Sequence, residues 1–224
     1  MRQLLPTYDA QPDLLQLYGT DGPYVRGGFV LSTDGVAVVD GGSRALSGPA
    51  DRAVFRTLRA VCDVILVGAA TTRAEDYGTI RLPAGGAAWR ASRGLPPLPR
   101  VAVMTASGDV DERVFRGERP LVLQPPGSRP DPRADVLTVR DVPDALDQLA
   151  ARGLRRVLCE GGPTLLSALV AAGRLDELCL TSAPLLAGRG PGLLADELDR
   201  PIGLQLRILL EEDGVLLGGY EVIR

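Results

Sequence analysis

The chain contains no histidine, no lysine and no asparagine, so each of its 25 basic residues is an arginine. Without histidine there is no Ser-His-Asp triad, no HExxH zinc site and no HxE signature of a zinc deaminase. Without lysine there is no Walker lysine and no Schiff base. Proton donors and acceptors are restricted to Asp, Glu, Tyr, Cys, hydroxyls and water, and a difficult step is better carried by a cofactor. Arginine-for-lysine usage with 27 Gly and 18 Pro also fits a GC-rich coding sequence, and the two explanations are compatible.

Cysteine is scarce as well. Cys62, Cys159 and Cys179 lie far apart in apolar runs, with no CxxC pair, which predicts buried reduced thiols rather than ligands or disulfides. No metal site is expected. One Trp, five Tyr and three Phe, with a net charge of −3, leave no basic stripe interleaved with aromatics, so no nucleic-acid surface is expected. No apolar run reaches the ~18 residues of a membrane span, and the first residues lack a signal peptide's basic start and apolar core. A soluble cytoplasmic protein with no membrane partner is the expectation. At 224 residues the chain suits one domain burying roughly 70% of its unfolded surface.

What is present alternates strand and helix. Residues 1–22 read as an N-terminal arm packed on the domain outside its sheet, and residues 23–224 as the domain itself. Tyr24–Ser32 (YVRGGFVLS) reads as a buried strand, and Ser47-Gly48-Pro49-Ala50-Asp51 opens a helix with Val54, Leu58 and Val61 on one face. Strands follow at 63–68, 101–104, 121–123, 136–139, 156–159 and 177–181, with helices at 143–151 and 164–172. Two closing strands flank the hairpin signal Asp213-Gly214. Leu82–Pro99 and Gln124–Asp135 read as long loops, the first a mobile surface or a lid. Continuous apolar strands between helices predict an α/β fold, a mostly parallel sheet covered on both faces and closed by an antiparallel hairpin.

Ligands in such sheets bind beyond the carboxyl ends of strands. At Cys159-Glu160-Gly161-Gly162-Pro163-Thr164 a strand ends in a carboxylate, and two glycines precede a helix start suited to a phosphate. The same letters also describe a plain tight turn with Glu160 in solvent. Gly68-Ala69-Ala70-Thr71-Thr72 places small residues and hydroxyls at a second strand end, where Thr71 could equally be a helix cap. Ser32-Thr33-Asp34-Gly35 carries an acid past a third, either a turn or a substrate-facing group. Acids and small residues at strand ends, without His or Lys, point to a nucleotide-cofactor reaction, best a hydride transfer.

These residues resemble the pyrimidine reductases of riboflavin biosynthesis, the RibD C-terminal reductase domain and its stand-alone relatives. The resemblance runs from about Tyr24 to the C-terminus, through FVLSTDG, DGGSRALSGPADRAVFRTLRA, DVILVGAATTRAEDYG and CEGGPTLLSALVAAGRLDELCLTSAPLLAG. It implies a dihydrofolate-reductase-like three-layer fold and a homodimer. It implies NADPH held by Gly161, Gly162, Pro163, Thr164, Leu165, Leu166, Thr71 and Glu75, with Gly68 and Ala69 beneath and Thr105 near the adenosine phosphate. Asp34, Ser43, Arg59 and Glu160 match substrate-facing positions: Asp34, or a water it orients, as proton donor, Arg59 on the ribose phosphate, Glu160 accepting from pyrimidine N–H groups. The implied reaction delivers hydride to the ribosyl C1′ of a 5-phosphoribosylamino pyrimidine. Gly28, Ala45 and Ala70 depart from the family pattern, the first two on the substrate side. They keep open a diverged reductase of another pteridine or pyrimidine, dihydrofolate included, beside a non-catalytic NADP-binding protein.

Overall fold

A computed structural model describes residues 1–224. In chain order the elements are β1 (Arg2–Leu5), α1 (Leu14–Tyr18), β2 (Tyr24–Ser32), α2 (Pro49–Val61), β3 (Val64–Gly68), α3 (Ala69–Ala74), α4 (Gly86–Ala91), β4 (Arg100–Met104), β5 (Leu121–Gln124), β6 (Asp135–Thr138), α5 (Val142–Ala151), β7 (Arg156–Gly161), α6 (Pro163–Ala171), β8 (Glu177–Ala183), β9 (Leu204–Glu212) and β10 (Val215–Val222). One ten-stranded sheet runs β1-β9-β10-β8-β2-β7-β3-β4-β5-β6. From β8 to β6 all neighbours are parallel, and β10, β9 and β1 add on antiparallel. The α/β expectation therefore holds.

Strand parity divides the interior into two cores. Val64, Leu66, Val157 and Cys159 point to the face covered by α5 and α6, while Ile65, Val67 and Leu158 point to the face covered by α2. Val54, Leu58 and Val61 supply the helical side of that second core, each nearly solvent-free. Truncating one such leucine to alanine costs about 2–5 kcal/mol. Pro49 stands in the first turn of α2, with Gly48 as its extended cap residue, as the sequence indicates. At the closing hairpin Asp213 and Gly214 both take positive φ, the geometry of a two-residue turn matched to strand twist.

Three expectations change. The arm is part of the sheet: β1 pairs with β9, and α1 buries Tyr18, whose carbonyl accepts from the Arg26 guanidinium. Leu82–Pro99 is no lid, because it contains α4 and is docked from beneath. Arg90 there is fully buried and donates to the carbonyls of Ala60, Cys62 and Pro96, satisfying the end of α2. Leu178–Leu186 looks in the sequence like an exposed strand that could supply a dimer interface, but its strand, β8, is internal between β10 and β2.

The topology places a crevice. Helix α2 leaves β2 for β3 over one face, and α6 leaves β7 for β8 over the other, with β7 lying between β2 and β3. Chains departing in opposite directions open a gap at the carboxyl ends of these strands.

Candidate active site

That gap is a cleft of about 1080 Å³, lined by the ends of β2, β3, β4 and β7, by α2 and α3, and by the start of α6. Its floor follows from two glycines. Gly161 has φ +119°, a conformation L side chains rarely adopt, and a Cβ on Gly162 would lie 3.2 Å from Thr71 Oγ1. The backbone and the Thr71 hydroxyl thus meet where any side chain would intrude. Helix α6 begins at Pro163 with no side-chain cap; Pro163 has no N–H and the Leu165 and Leu166 amides donate to the Gly162 carbonyl at 3.0 and 3.2 Å, which leaves the Thr164 amide free beside the cleft. A free amide at the positive end of a nine-residue helix, beside the Thr71 hydroxyl, suits a phosphate of a dinucleotide. Gly68 and Ala69 line the same floor.

Across from this cradle stands Glu160. Leu158 faces α2, so Glu160, two residues on, faces it too, while Gly161 turns toward the opposite layer. Its carboxylate accepts from Arg59 Nε at 2.7 Å and Nη2 at 2.5 Å, a two-pronged pair with only 1% of the Glu160 side chain exposed. Burial and the neighbouring Glu160 carboxylate push the pKa of the Tyr77 phenol up, and its ring lies 5.6 Å from the Arg59 guanidinium carbon. Arg59 is thus committed to Glu160 rather than free for a phosphate, and Glu160 has an arginine where ring N–H donors were expected. Four other arginines of the cleft, Arg44, Arg52, Arg56 and Arg81, have no acidic partner within 4.0 Å, and of these Arg52 donates to the Ser47 carbonyl.

Ser43 and Glu75, assigned to different ligands from the sequence, are bonded to each other. The Ser43 amide and hydroxyl both donate to Glu75 Oε1 at 2.9 Å, tying the loop after β2 to the end of α3. Thr105 lines the cleft, but its hydroxyl donates to the Asp109 carbonyl and accepts from the Ser107 and Gly108 amides. It shapes the turn after β4 rather than offering a free hydroxyl.

Other placements are corrections. Asp34 does not line the cleft. Its carboxylate accepts from the Ala187 and Gly188 amides and from Ser32 Oγ, which together hold its pKa down at about 2. A group so bound stays ionised and pins two loops, so the proton-donor role has no geometric support. Leu166 is 1% exposed and belongs to the core under α6, and Gly161 sits behind Gly162 rather than on the cleft wall. Ala45 is exposed and outside the lining, so it does not enlarge the substrate side. A Cβ on Gly28 would press Leu158 and Leu58 at 3.3 and 3.4 Å, so this glycine chiefly lets α2 approach the sheet. Sequence reading passed over Asp51, Phe55 and Tyr77. Asp51, Phe55 and Arg59 recur at intervals of four on α2, a spacing that would have revealed their common face.

The family model described as the RibD C-terminal domain matches residues 23–212. The chain belongs to the RibD C-terminal domain family. Every residue named on the cleft wall lies within that matched span. A 2,5-diamino-6-ribosylamino-4(3H)-pyrimidinone 5′-phosphate reductase of Methanothermobacter thermautotrophicus is 30% identical over 177 residues, covering 74% of this chain and 80% of that protein. The riboflavin biosynthesis protein RibD of Mycobacterium tuberculosis is 32% identical over 179 residues, 78% of this chain but 46% of its own length. The chain thus spans about half of that longer RibD protein. Among solved structures, a pyrimidine reductase-like protein from Corynebacterium diphtheriae has a TM-score of 0.80 at 25% identity, covering 96% of both chains. A riboflavin biosynthesis reductase from Saccharomyces cerevisiae has a TM-score of 0.72 at 16% identity over 95% of this chain and 99% of that one, a likeness of fold. The RibD C-terminal architecture therefore extends over nearly the whole chain, and the arm before residue 23 lies outside the family match.

Proposed function

We propose that the chain is an NADPH-dependent reductase of riboflavin biosynthesis, converting the ribosyl group of a 5-phosphoribosylamino pyrimidine to its ribitylamino form. The observation that carries this reading is the opposition, inside one cleft, of the Gly162–Thr164 cradle and the Asp51–Phe55–Arg59 face of α2 with Glu160. When bound, NADPH supplies hydride to C1′ as the C1′–O bond of the ribose opens and the ring oxygen takes a proton. The chain's own residues do the rest.

The Thr164 amide and the Thr71 hydroxyl would hold the pyrophosphate, with Gly68 and Ala69 beside them on the floor of the cleft. Arg44, Arg56 and Arg81 are the guanidiniums free for phosphate groups on either ligand, including the one that distinguishes NADPH from NADH. Arg59 and Glu160 form a rigid polar wall against which the sugar and base are oriented. The ionisable groups on the cleft that could pass the proton are Asp51, Glu75, Asp76, Tyr77 and Glu160, or water reaching them. No helix is long and apolar enough to cross a membrane. The proposed assembly is a homodimer, with exposed Leu204 of β9, Leu216 of β10 and Ile223 just beyond it available, and sedimentation would measure it.

The test is NADPH oxidation, followed at the nicotinamide band, with the diaminopyrimidinone ribosyl phosphate named for the archaeal relative and with its deaminated uracil counterpart. Oxidation with at least one supports the reading. Tight NADPH binding without oxidation by either would leave a nucleotide-binding protein instead.

A further inference from the structure

Tyr77 brings to the cleft a hydroxyl that makes no hydrogen bond of normal geometry within the protein. The residue is 4% exposed, yet its oxygen is not among the buried polar atoms sealed without a partner, so the hydroxyl end opens on the cleft. Its place follows from the path of the chain. Helix α3 leaves the floor at Ala69 and ends at Ala74, and the Asp76 carboxylate then accepts from the Gly78 amide at 2.9 Å, a tight turn that carries Tyr77. Gly78 packs so closely on the Arg113 carbonyl that a Cβ there would clash, which fixes the turn from outside. The ring thereby joins the floor at Gly68 and Ala69 to the Arg59–Glu160 wall, with its centroid 5.6 Å from the Arg59 guanidinium carbon.

The acids of the cleft are engaged as acceptors or sealed. Glu160 accepts from two Arg59 N–H groups, Glu75 from the Ser43 amide and hydroxyl, and Asp76 from the Gly78 amide. Asp51 is 2% exposed, with Oδ2 bonded to the Ser47 hydroxyl and Oδ1 closed off. Burial and the Glu160 carboxylate push the Tyr77 pKa up, so the phenol keeps its proton through the neutral range, while the Arg59 guanidinium beside the ring favours the anion once that proton leaves. This inference rests on the reductase reading above. Opening the ribose leaves an electron pair on the ring oxygen, an alkoxide more basic than a phenolate, and a positioned phenol can protonate it. We propose that Tyr77 is a catalytic residue, the donor of the proton that this oxygen takes. The amine lone pair forms a C1′–N double bond as the C1′–O bond breaks, and the ring oxygen keeps the bonding pair and takes the Tyr77 proton. Hydride from NADPH then adds to C1′ and returns the pair to nitrogen. The phenolate recovers a proton from water, so each turnover consumes one NADPH and one proton.

The experiment measures the single-turnover rate of NADPH oxidation with each of the two ribosylamino pyrimidine phosphates in the wild type and in Tyr77→Phe, with the affinities for NADPH and for each pyrimidine titrated separately. Tyr77→Phe keeps the ring and removes only the hydroxyl. Its rate should fall about 10²–10⁴-fold, the range of a general acid, with both affinities within about threefold of the wild type. A rate within about tenfold of the wild type overturns the proposal, as does a loss confined to pyrimidine affinity, which marks the hydroxyl as a binding contact. In both cases the reductase reading stands. The pH profile of the wild type decides the matter without any variant, should Tyr77→Phe fail to fold. The charged groups facing the phenol are Glu160 from β7, Arg59 from α2 and Glu75 at the end of α3. With the neutral phenol as donor, the rate should stay level from about pH 6 to about pH 9. A rate that falls as pH rises through about 4 to 7, the signature of a carboxylic acid donor, overturns the proposal. Failure of the wild type to oxidise NADPH with either compound removes the reductase reading and this inference with it.

Discussion

Arg59 and Glu160 are 101 residues apart in the chain and bonded at 2.7 and 2.5 Å across the cleft, joining the last turn of α2 to the end of β7. The pair fixes the width of the site, because neither side chain can move without stranding the other. Glu160 is 1% exposed at its side chain and Arg59 19%.

Arg59→Ala should therefore destabilise the fold by about 3–5 kcal/mol, the cost of leaving a buried charge unpaired. Urea unfolding measures it. The double variant Arg59→Met with Glu160→Gln should lose less stability than the two single changes together, since it strands no charge, while turnover stays low.

Ser43 and Glu75 close the cleft at its other side through two bonds to one carboxylate oxygen. Bonds to a charged group contribute about 1.5–3 kcal/mol each, so Glu75→Ala should free the loop and raise KM by about 10-fold or more. Glu75→Gln keeps an acceptor oxygen and should recover most of the loss. Steady-state kinetics with both variants checks the pair.

Gly162 and Gly68, both on the floor of the cleft, should respond differently. A Cβ on Gly162 meets Thr71 Oγ1 at 3.2 Å, whereas one on Gly68 meets the Gly161 carbonyl and the Gly162 amide nitrogen at 3.6 and 3.7 Å, ordinary contact distances. Gly162→Ala should weaken NADPH binding about 10- to 100-fold, corresponding to overpacking of roughly 1–3 kcal/mol. Gly68→Ala should fold normally and lose less. Fluorescence titration of NADPH compares them.

Much of this was readable in the residues. Continuous apolar strands, the Pro49 and Pro163 helix starts and the Asp213-Gly214 turn each carry local physics, and the structure follows them. Remote partners decided the rest. The letters of β1 do not say that a strand 200 residues later will pair with it, and Asp34-Gly35 reads as a turn without revealing the amides of Ala187 and Gly188 that claim its carboxylate. The face of Glu160 was legible from strand parity, but its arginine partner required the sheet order that sets α2 over β7.

Asp34 gives a check with an opposite sign to the sequence expectation. Loss of a general acid costs about 10²–10⁴-fold, whereas Asp34→Asn should leave kcat within an order of magnitude. Its folded pKa of about 2 lies below the ordinary carboxylate value, so its contribution to stability is present above that value and is lost as pH falls through about 2. Acid unfolding of Asp34→Asn should therefore show less dependence on pH in that window.

Deuterium transfer tests the central claim most directly. With NADPH deuterated at the transferring position of the nicotinamide, the account predicts a ribitylamino product bearing one deuterium, located at C1′ by mass spectrometry and proton NMR. A product without deuterium at C1′, or no reduced product while NADPH is bound, would contradict it.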